Sequence, residues 1–319
     1  MYIGIDIGGT SVKAVLTDTK GTLIQFSTIS TWKKREEIEP VIRALLNSLL
    51  KNKAGAMQKV TAIGAGTAGS LDTGRGTVLE SPNIPSLARF PLAATIRNIS
   101  GKPVFVENDA TVAVMGERWL GHGRKYQNWI MLTLGTGIGG GAVIHGKPYT
   151  GQYGSSMEVG HTSIDYRGRK CPCGSRGCLE LYCSATSLTA YTRRLLNRYP
   201  RSSLHRRIRA EGLNPRIVEE EALKGDTLSS LVYERVSTWL GYGIANLVNL
   251  FNPEAIIFGG GLSRAHGLIF PVVKQVVHER VLEGLDKNVK YLTVKDPTRG
   301  PSLGAAKIAI DALGRGEEK

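Results

Sequence analysis

A strand, a glycine-rich turn and a returning strand occur twice in this chain, and this duplication constrains the fold more than any other feature. In the first copy, residues 2–6 are predicted as a buried strand, 7–10 as a tight turn and 12–16 as the returning strand. Residues 129–144 repeat this order at an offset of about 128 residues, a spacing that indicates a duplicated domain and not a short-repeat array. The sequence therefore predicts two related α/β domains that face each other across a cleft.

The rest of the chain continues the α/β pattern. Apolar residues recur at helical spacing over residues 36–53, which predicts an amphipathic helix. Further strands are predicted at 22–28, 60–66, 104–107, 255–258 and 291–294, and further helices at 110–119, 228–250 and 303–313. We expect a small α/β domain at residues 1–109 together with a C-terminal helix at 299–319, and a large α/β domain at 110–298.

Length and composition agree with two packed domains. The chain has 319 residues, of which 41% are hydrophobic and 21% charged, values typical of a protein with substantial cores. Its longest apolar runs have the length of strands and fall far short of a membrane span, so no membrane partner is predicted. No basic segment followed by an apolar core precedes the first strand, and the expected location is therefore cytoplasmic.

The net charge is strongly positive. The chain has 41 Lys and Arg against 27 Asp and Glu, a formal charge of +14, which attracts anionic partners without selecting among them. Arginines are concentrated in residues 193–209, where Tyr199 is the only Phe, Trp or Tyr residue. Because no base-reading motif accompanies them, we expect a solvated helical face and no specific nucleic-acid partner.

The first glycine turn has the composition of a phosphate-binding site. Asp6 ends the first strand, Gly8 and Gly9 allow backbone amides to approach an anion, and Thr10 and Lys13 supply further donors. The carboxylate is suited to hold water bound to Mg²⁺. The alternative is an ordinary hairpin that contains glycine.

The second glycine turn, residues 135–140, matches the GxGxxG spacing of dinucleotide-binding folds, and Glu158 follows at about the position of the ribose-binding acid. A dinucleotide site requires a helix directly after the turn, whereas residues 140–144 predict a strand. This difference weakens the alternative of an NAD-dependent oxidoreductase. A second phosphate hairpin, paired with the first, fits the pattern better.

Glu107, Asn108 and Asp109 follow a predicted strand and precede a predicted helix. At the end of a strand that faces the cleft, Asp109 could accept a proton from a bound hydroxyl group. The alternative is that Asn108 or Asp109 only caps the helix, and the two roles are compatible.

One histidine and three cysteines form the most specific local signal. His161 is followed by Cys171, Cys173 and Cys178, a donor set suited to a tetrahedral structural Zn²⁺. Cys183 is an alternative to His161 as the fourth ligand, and a loop of reduced thiols is the alternative to a metal site.

A metal on this loop would also orient polar side chains. With one ring nitrogen of His161 on the ion, the other would be held in a defined orientation, and Glu158 and Glu180 lie on the same segment. Two carboxylates and an imidazole are suitable partners for sugar hydroxyl groups.

Taken in order, these motifs resemble the ROK (repressor, open reading frame, kinase) family of sugar kinases, which belongs to the actin-like ATPase and hexokinase superfamily. The resemblance covers nearly the whole chain. Its motifs lie at residues 6–13, 107–109, 134–141, 158–161, 171–180, 259–262 and 303–306. It implies two actin-like ATPase (ribonuclease H-like) domains around a cleft.

The resemblance also implies roles for individual residues. The activity would depend on ATP and Mg²⁺, with Asp109 as the general base on the sugar hydroxyl. Sugar contacts are implied for Asn83, Asn108, Asp109, Glu158, His161 and Glu180. Contacts to the nucleotide are implied for Asp6, Gly8, Gly9, Thr10, Lys13, Gly135, Thr136, Gly137, Gly260 and Gly261.

The chain departs from the family pattern near the implied sugar site. Met157 stands where the family usually has glycine, Thr111 where asparagine is common, and Leu87 where many glucokinases have tryptophan. We expect a hexose kinase of the glucokinase type that phosphorylates the 6-hydroxyl group, as a homodimer or homotetramer. N-acetylmannosamine, N-acetylglucosamine and fructose kinases share the motifs and stay as alternatives.

A sugar-sensing regulator is the non-enzymatic alternative. The repressor branch of the family has a winged helix before the kinase domains, whereas this sequence starts at the first strand. A repressor of that type is therefore not expected.

Overall fold

A computed structural model describes residues 1–51, 55–81, 83–152 and 156–314. These residues form two compact units. The first contains Met1–Lys125, Lys147–Ser156 and the segment from Val294 onward, and the second contains Tyr126–Gly146 and Met157–Thr293. The first unit extends beyond the predicted boundary at residue 109, because the helix that follows this residue packs on the C-terminal helix.

The elements of the described residues are numbered in chain order. The strands are β1 Tyr2–Ile7, β2 Ser11–Thr17, β3 Leu23–Ser30, β4 Ala62–Thr67, β5 Ser70–Asp72, β6 Thr77–Glu80, β7 Val104–Asn108, β8 Trp129–Leu134, β9 Ile138–Ile144, β10 Lys147–Tyr149, β11 Ala255–Gly259 and β12 Lys290–Thr293. The α-helices are α1 Ile38–Leu50, α2 Leu92–Ser100, α3 Asp109–Leu120, α4 Glu180–Cys183, α5 Ala185–Leu195, α6 Leu204–Glu211, α7 Pro215–Leu223, α8 Thr227–Phe251, α9 His266–Arg280 and α10 Gly300–Gly314.

The predicted duplication is confirmed by the sheets. In the first unit the strand order is β3-β2-β1-β4-β7, with β1 antiparallel to β2 and parallel to β4. In the second unit β9-β8-β11-β12 reproduces the order β2-β1-β4-β7, with β8 antiparallel to β9 and parallel to β11. The two glycine turns connect equivalent strand pairs, as the sequence predicted.

Each unit has its own apolar core. In the first unit α1 packs on the sheet through Ile38, Ile42 and Leu45, which are buried at the predicted helical spacing. The final part of the predicted helix, residues 52–53, lies outside the described residues. In the second unit the 25-residue helix α8 supplies much of the core.

The C-terminal helix α10 covers the other face of the first sheet at very short distance. A Cβ atom added to Gly4 in β1 would overlap the carbonyl oxygen of Ser302, and one added to Gly304 in α10 would overlap that of Val112 in α3. Glycine is therefore required for α10 to lie directly against the backbones of β1 and α3. This packing holds α3 against the sheet of its own unit.

The arginine segment is not the uniformly solvated face that the sequence predicted. The Arg207 side chain is 16% exposed and forms ion pairs of 2.8 Å, 2.6 Å and 2.9 Å with Glu211, Glu220 and Glu221. Carboxylates supplied by α6 and α7 neutralise it, and they lie up to 14 residues away in sequence. The expectation was wrong for Arg207, because charge spacing along one helix does not show which partners a neighbouring helix provides.

Among the described helices, none combines the length and the apolar character needed to cross a lipid bilayer.

Candidate active site and metal cluster

The first glycine turn places a partly buried carboxylate opposite a lysine. Asp6 in β1 is paired in register with Lys13 in β2, and Lys13 Nζ lies 3.8 Å from Asp6 Oδ2. Burial raises the pKa of Asp6 to about 6, Lys13 opposes this effect, and the charge of Asp109 adds to it. The charge of Asp109 therefore acts on Asp6 within the first unit.

A threonine that the sequence analysis missed holds this turn. Thr31 Oγ1 donates a 2.6 Å hydrogen bond to the Gly8 carbonyl oxygen, and the Thr31 amide donates to the Thr10 carbonyl oxygen at 3.1 Å. Asn83 also lies at the turn, because a Cβ atom added to Gly9 would be 3.5 Å from the Asn83 carbonyl oxygen. The sequence signal for Thr31 was weak, since it is one hydroxyl residue after a predicted strand.

Two neighbouring residues at the end of β7 have different roles. Asn108 is the N-cap of α3, where its Oδ1 accepts a 2.8 Å hydrogen bond from the Ala110 amide and its Nδ2 donates to the Gly69 carbonyl oxygen. Asp109 is the first residue of α3, and its Oδ1 also accepts from the Ala110 amide at 2.9 Å. An N-terminal position stabilises the negative charge of the Asp109 carboxylate. Capping is thus chiefly the role of Asn108.

Glu107 is an additional buried acid beside these residues. Its Oε1 accepts a 2.9 Å hydrogen bond from the Asn108 amide, and burial raises its pKa. The sequence analysis named Glu107 in the motif but assigned it no role.

The second glycine turn is held by the segment that starts at α4. The Thr186 hydroxyl donates to the Thr136 carbonyl oxygen at 2.8 Å, and the Ala185 amide donates to the Gly135 carbonyl oxygen at 2.9 Å. Glu180 Oε2 accepts a long, 3.4 Å hydrogen bond from the Ile138 amide. Glu180 therefore lies against the turn, and Thr186 is a supporting residue that no sequence motif identified.

The segment after this turn excludes a dinucleotide-binding arrangement at the GxGxxG match. Residues 138–144 form β9, whereas that arrangement needs a helix at this point. Gly260 also lies beside this turn, with φ of 82° and no room for a Cβ atom next to the Leu134 carbonyl oxygen. Gly261 begins the following 3-10 helix. The second unit thus brings Gly135–Gly137, Glu180 and Gly260 together.

The four predicted metal ligands converge. The ligand atoms of His161, Cys171, Cys173 and Cys178 all lie within 4.8 Å of one another. Cys173 Sγ is 3.6 Å from Cys178 Sγ, and His161 Nδ1 is 3.9 Å from Cys171 Sγ. Three thiols and one imidazole are the donor set of structural zinc sites.

Cys183, the alternative fourth ligand, is outside this cluster. It is fully buried in the core of the second unit, and its thiol donates to the Leu179 carbonyl oxygen at 3.3 Å. Glu180 instead contacts the cluster, with Oε1 3.9 Å from His161 Nδ1. The same glutamate thus connects the cluster with the second glycine turn.

Two departures from the family pattern have structural explanations. Met157 has φ of 61°, a left-handed conformation that favours glycine, and its side chain packs against the core of the second unit. The backbone before Glu158 thus keeps the conformation that a glycine would adopt. Leu87 is fully buried in the core of the first unit. The structure does not explain Thr111.

Comparisons with known proteins identify the family of this chain. The model of the ROK family matches residues 2–312. A glucokinase of Thermotoga maritima is 34% identical over 313 residues, which cover 98% of each chain. A xylose repressor of Caldicellulosiruptor bescii is 30% identical over 314 residues, which cover 98% of this chain and 78% of the repressor.

The structural comparison gives the same family. A crystal structure of a ROK family glucokinase from Streptomyces griseus, in complex with glucose and AMPPNP, matches with a TM-score of 0.84 and 32% identity. The match covers 97% of this chain and 99% of that glucokinase. The two-domain actin-like ATPase fold predicted from the sequence is thereby confirmed.

Proposed function

The chain belongs to the ROK family and is an ATP-dependent sugar kinase, and we propose that it phosphorylates a hexose, foremost glucose, at the 6-hydroxyl group. The observation that carries this proposal is the position of Asp109 at the N-terminus of α3, where its charge acts on Asp6 of the Asp6–Lys13 ion pair. A carboxylate beside a phosphate-binding turn is suited to accept the proton of the attacking hydroxyl group. The similarity to glucokinases supports glucose as the acceptor.

The chain's own residues would bind and orient the reactants. Backbone amides of Gly8–Thr10 and Gly135–Gly137 would donate to phosphate oxygens, and Gly260 and Gly261 would lie against the adenosine. Bound Mg²⁺ would neutralise charge on the phosphates. Asp6 would accept hydrogen bonds from water bound to this ion. Lys13 would add positive charge at the same turn. Catalysis by such groups consists mainly of positioning and charge stabilisation.

We propose sugar contacts for the residues that the family resemblance implied. In the first unit these are Asn83, Asn108 and Asp109. In the second unit they are Glu158, His161 and Glu180, whose loop carries the metal cluster. Because the ligands Asn108 and Glu180 are themselves held by backbone hydrogen bonds, their orientation is set before the sugar binds.

The role of Asp109 is tested by Asp109→Asn. The amide keeps the shape of the side chain and cannot accept the proton, so kcat should fall about 100-fold or more while sugar affinity stays near that of the wild type. A coupled ADP-release assay measures kcat, and isothermal titration calorimetry measures sugar binding. Glu39→Gln is the matched control, because Glu39 is an exposed acid of α1 that pairs with Arg43. Turnover like that of the wild type in Asp109→Asn would reject the assignment.

The acceptor is tested by a screen of ADP release with glucose, fructose, mannose, N-acetylglucosamine and N-acetylmannosamine. Glucose should give the highest kcat/KM. The compound 6-deoxyglucose should inhibit competitively without releasing ADP, since it lacks the proposed acceptor oxygen. ADP release with 6-deoxyglucose would show that another hydroxyl group is phosphorylated. A higher kcat/KM with an N-acetylhexosamine would show that glucose is not the preferred substrate.

The Cys3His cluster supports a structural Zn²⁺, held by His161, Cys171, Cys173 and Cys178. The donor set fits the ion, and a closed set of four ligands stabilises the loop that carries Glu158 and Glu180. Elemental analysis should find about one zinc per chain, and Cys173→Ser should lower both zinc content and sugar affinity. Cys183→Ala is the control, because it removes a buried thiol outside the cluster and should keep the zinc. Zinc-free protein with full activity would contradict this proposal.

A sugar-responsive regulator is the second candidate, supported by the similarity to a xylose repressor and by the net charge of +14. If the chain is only a kinase, duplex DNA should bind weakly and without sequence preference, and binding should weaken steeply with salt. Tight, sequence-dependent binding would favour the regulator.

A cytoplasmic location and a homodimeric or homotetrameric state are also part of the proposal. Cell fractionation tests the location, and light scattering tests the oligomeric state.

A further inference from the structure

A cavity in the second unit is lined by part of the arginine segment that the kinase site does not use. It measures about 390 Å³ and lies between the loop that follows α5 and the N-terminus of α8. Its wall includes Arg198, Tyr199, Arg201 and Leu228. This volume falls in the range of small-molecule sites, and no lining residue is among those assigned to sugar, nucleotide or metal.

The arginines of the cavity differ from their neighbours in sequence. Arg207 is neutralised by three carboxylates, and Arg194 lies over the Tyr191 ring at 5.0 Å. In contrast, neither Arg198 nor Arg201 forms a hydrogen bond, ion pair or ring contact through its guanidinium group with any residue that the structure describes. Their positive charges are therefore available to a ligand.

The single carboxylate in the wall is already engaged. Asp226 caps α8 and accepts hydrogen bonds from the Ser229 amide at 2.9 Å and the Ser203 amide at 3.0 Å. It also accepts from the hydroxyl groups of Ser202 at 3.1 Å and Ser229 at 2.7 Å. These bonds join the 202–203 turn to the helix, so Asp226 shapes the cavity instead of pairing with its arginines. The wall keeps a net positive charge.

The other lining groups indicate what kind of anion would fit. The half-buried Tyr199 packs against the core, and the exposed Pro200 lies beside it in the wall. The wall thus offers apolar surface as well as the hydroxyl groups of Ser202 and Thr227. Guanidinium groups bind phosphate with paired, charge-assisted hydrogen bonds, and apolar surface favours a carbon skeleton over a bare ion.

We propose that this cavity binds a small organic phosphomonoester, with Arg198 and Arg201 on the phosphate and Tyr199 and Pro200 against the carbon skeleton. The site is separate from the proposed kinase site and does not depend on its assignment. A protein of net charge +14 attracts such dianions from solution.

The test uses glucose 6-phosphate as the probe and isothermal titration calorimetry as the measurement. The titration is done with glucose and AMPPNP at saturating concentration, so that binding elsewhere is suppressed. The double variant Arg198→Ala/Arg201→Ala should raise the Kd by about tenfold or more, because two charge-assisted contacts are lost. Its folding and its kcat for sugar phosphorylation should stay unchanged, since neither guanidinium group has a partner among the described residues.

The matched control is Arg193→Ala/Arg206→Ala, which removes the same charge from exposed arginines of the same segment. This variant should bind glucose 6-phosphate like the wild type. Equal weakening in both double variants would show general charge attraction and overturn the site.

Two further arms identify the ligand class. Inorganic phosphate should bind at least about tenfold more weakly than glucose 6-phosphate, since it makes no contact with the apolar wall. Equal affinity would overturn the role of Tyr199 and Pro200. Duplex DNA binding that is lost only in Arg198→Ala/Arg201→Ala, with unchanged glucose 6-phosphate binding, would assign these arginines to nucleic acid and overturn the proposal.

Discussion

The two units share a strand order but cover their sheets in different ways. In the first unit α10 lies on the backbone of β1 and α3, where Gly4 and Gly304 leave no space for a Cβ atom. In the second unit α8 packs through large side chains, and its Gly243 faces only the end of the Leu179 side chain, 2.6 Å from an added Cβ atom. Backbone contact permits no adjustment, whereas side chains can move. The backbone contact with α10 therefore holds α3, the helix that begins with Asp109, more rigidly than side-chain contacts would.

The equivalent turns differ in charge. Asp6 and Lys13 are paired across β1 and β2, and the corresponding register in the second unit pairs Thr133 with Gly139. The first turn therefore contains a partly buried ion pair, and the second contains neutral groups. Duplication preserved the backbone hairpin, and the side chains decide which copy carries the charged chemistry.

The largest expected effect tests the contrast between backbone packing in the first unit and side-chain packing in the second. Gly304→Ala should destabilise the protein by about 3 kcal/mol or more, because the new methyl group meets the carbonyl oxygen of Val112. Gly243→Ala is the matched control in a helix of the other unit, and it should change stability by less than about 1 kcal/mol, since Leu179 can move and alanine favours helix. Chemical denaturation of both variants checks this. Similar losses at both positions would contradict the distinction.

The second prediction concerns the charged turn and states how its contribution to stability changes with pH. The pKa of Asp6 is about 6 in the folded protein, above its ordinary value of 3.8. The folded state therefore binds this proton more tightly than the unfolded state, and the native carboxylate lowers stability as pH rises from about 4 to 6. Asp6→Asn should remove this loss and raise the free energy of unfolding by at most about 3 kcal/mol above pH 7.

The pH profile is the control for this prediction. The gain in Asp6→Asn should shrink toward zero below pH 4, where the wild-type carboxyl group is protonated in both states. The same variant should lose kinase activity, because the amide cannot replace the proposed carboxylate. Thr133→Ala, at the neutral turn, should show no comparable pH dependence. A pH-independent difference between wild type and Asp6→Asn would refute the assignment of the effect to burial.

The smallest expected effect concerns the loop before Glu158. Met157→Ala and Met157→Gly both remove the side chain that packs against the core, but only glycine relieves the backbone strain at φ of 61°. Met157→Gly should therefore be more stable than Met157→Ala by about 1 kcal/mol. Thermal melting measured side by side checks the order of the two variants. If alanine is the more stable replacement, the left-handed conformation is not kept in solution.

Much of the fold was predictable because its signals are local. Apolar periodicity identified α1 and α8, and glycine turns between β-rich runs identified both hairpins. The supporting contacts of the turns were not predictable. Thr31 and Thr186 are single hydroxyl residues, and their hydrogen bonds to the carbonyl oxygens of Gly8 and Thr136 depend on the packing of separate segments.

The sequence by itself determined the duplicated α/β scaffold, the four residues of the Cys3His cluster and the carboxylate that begins α3. These follow from residue type and spacing, which act over a few residues. Only the tertiary structure decided that Cys183 is a core residue, that Arg207 is neutralised and that partial burial raises the pKa of Asp6. Burial and charge compensation depend on which distant elements come into contact, and this information is absent from the local pattern of any one segment.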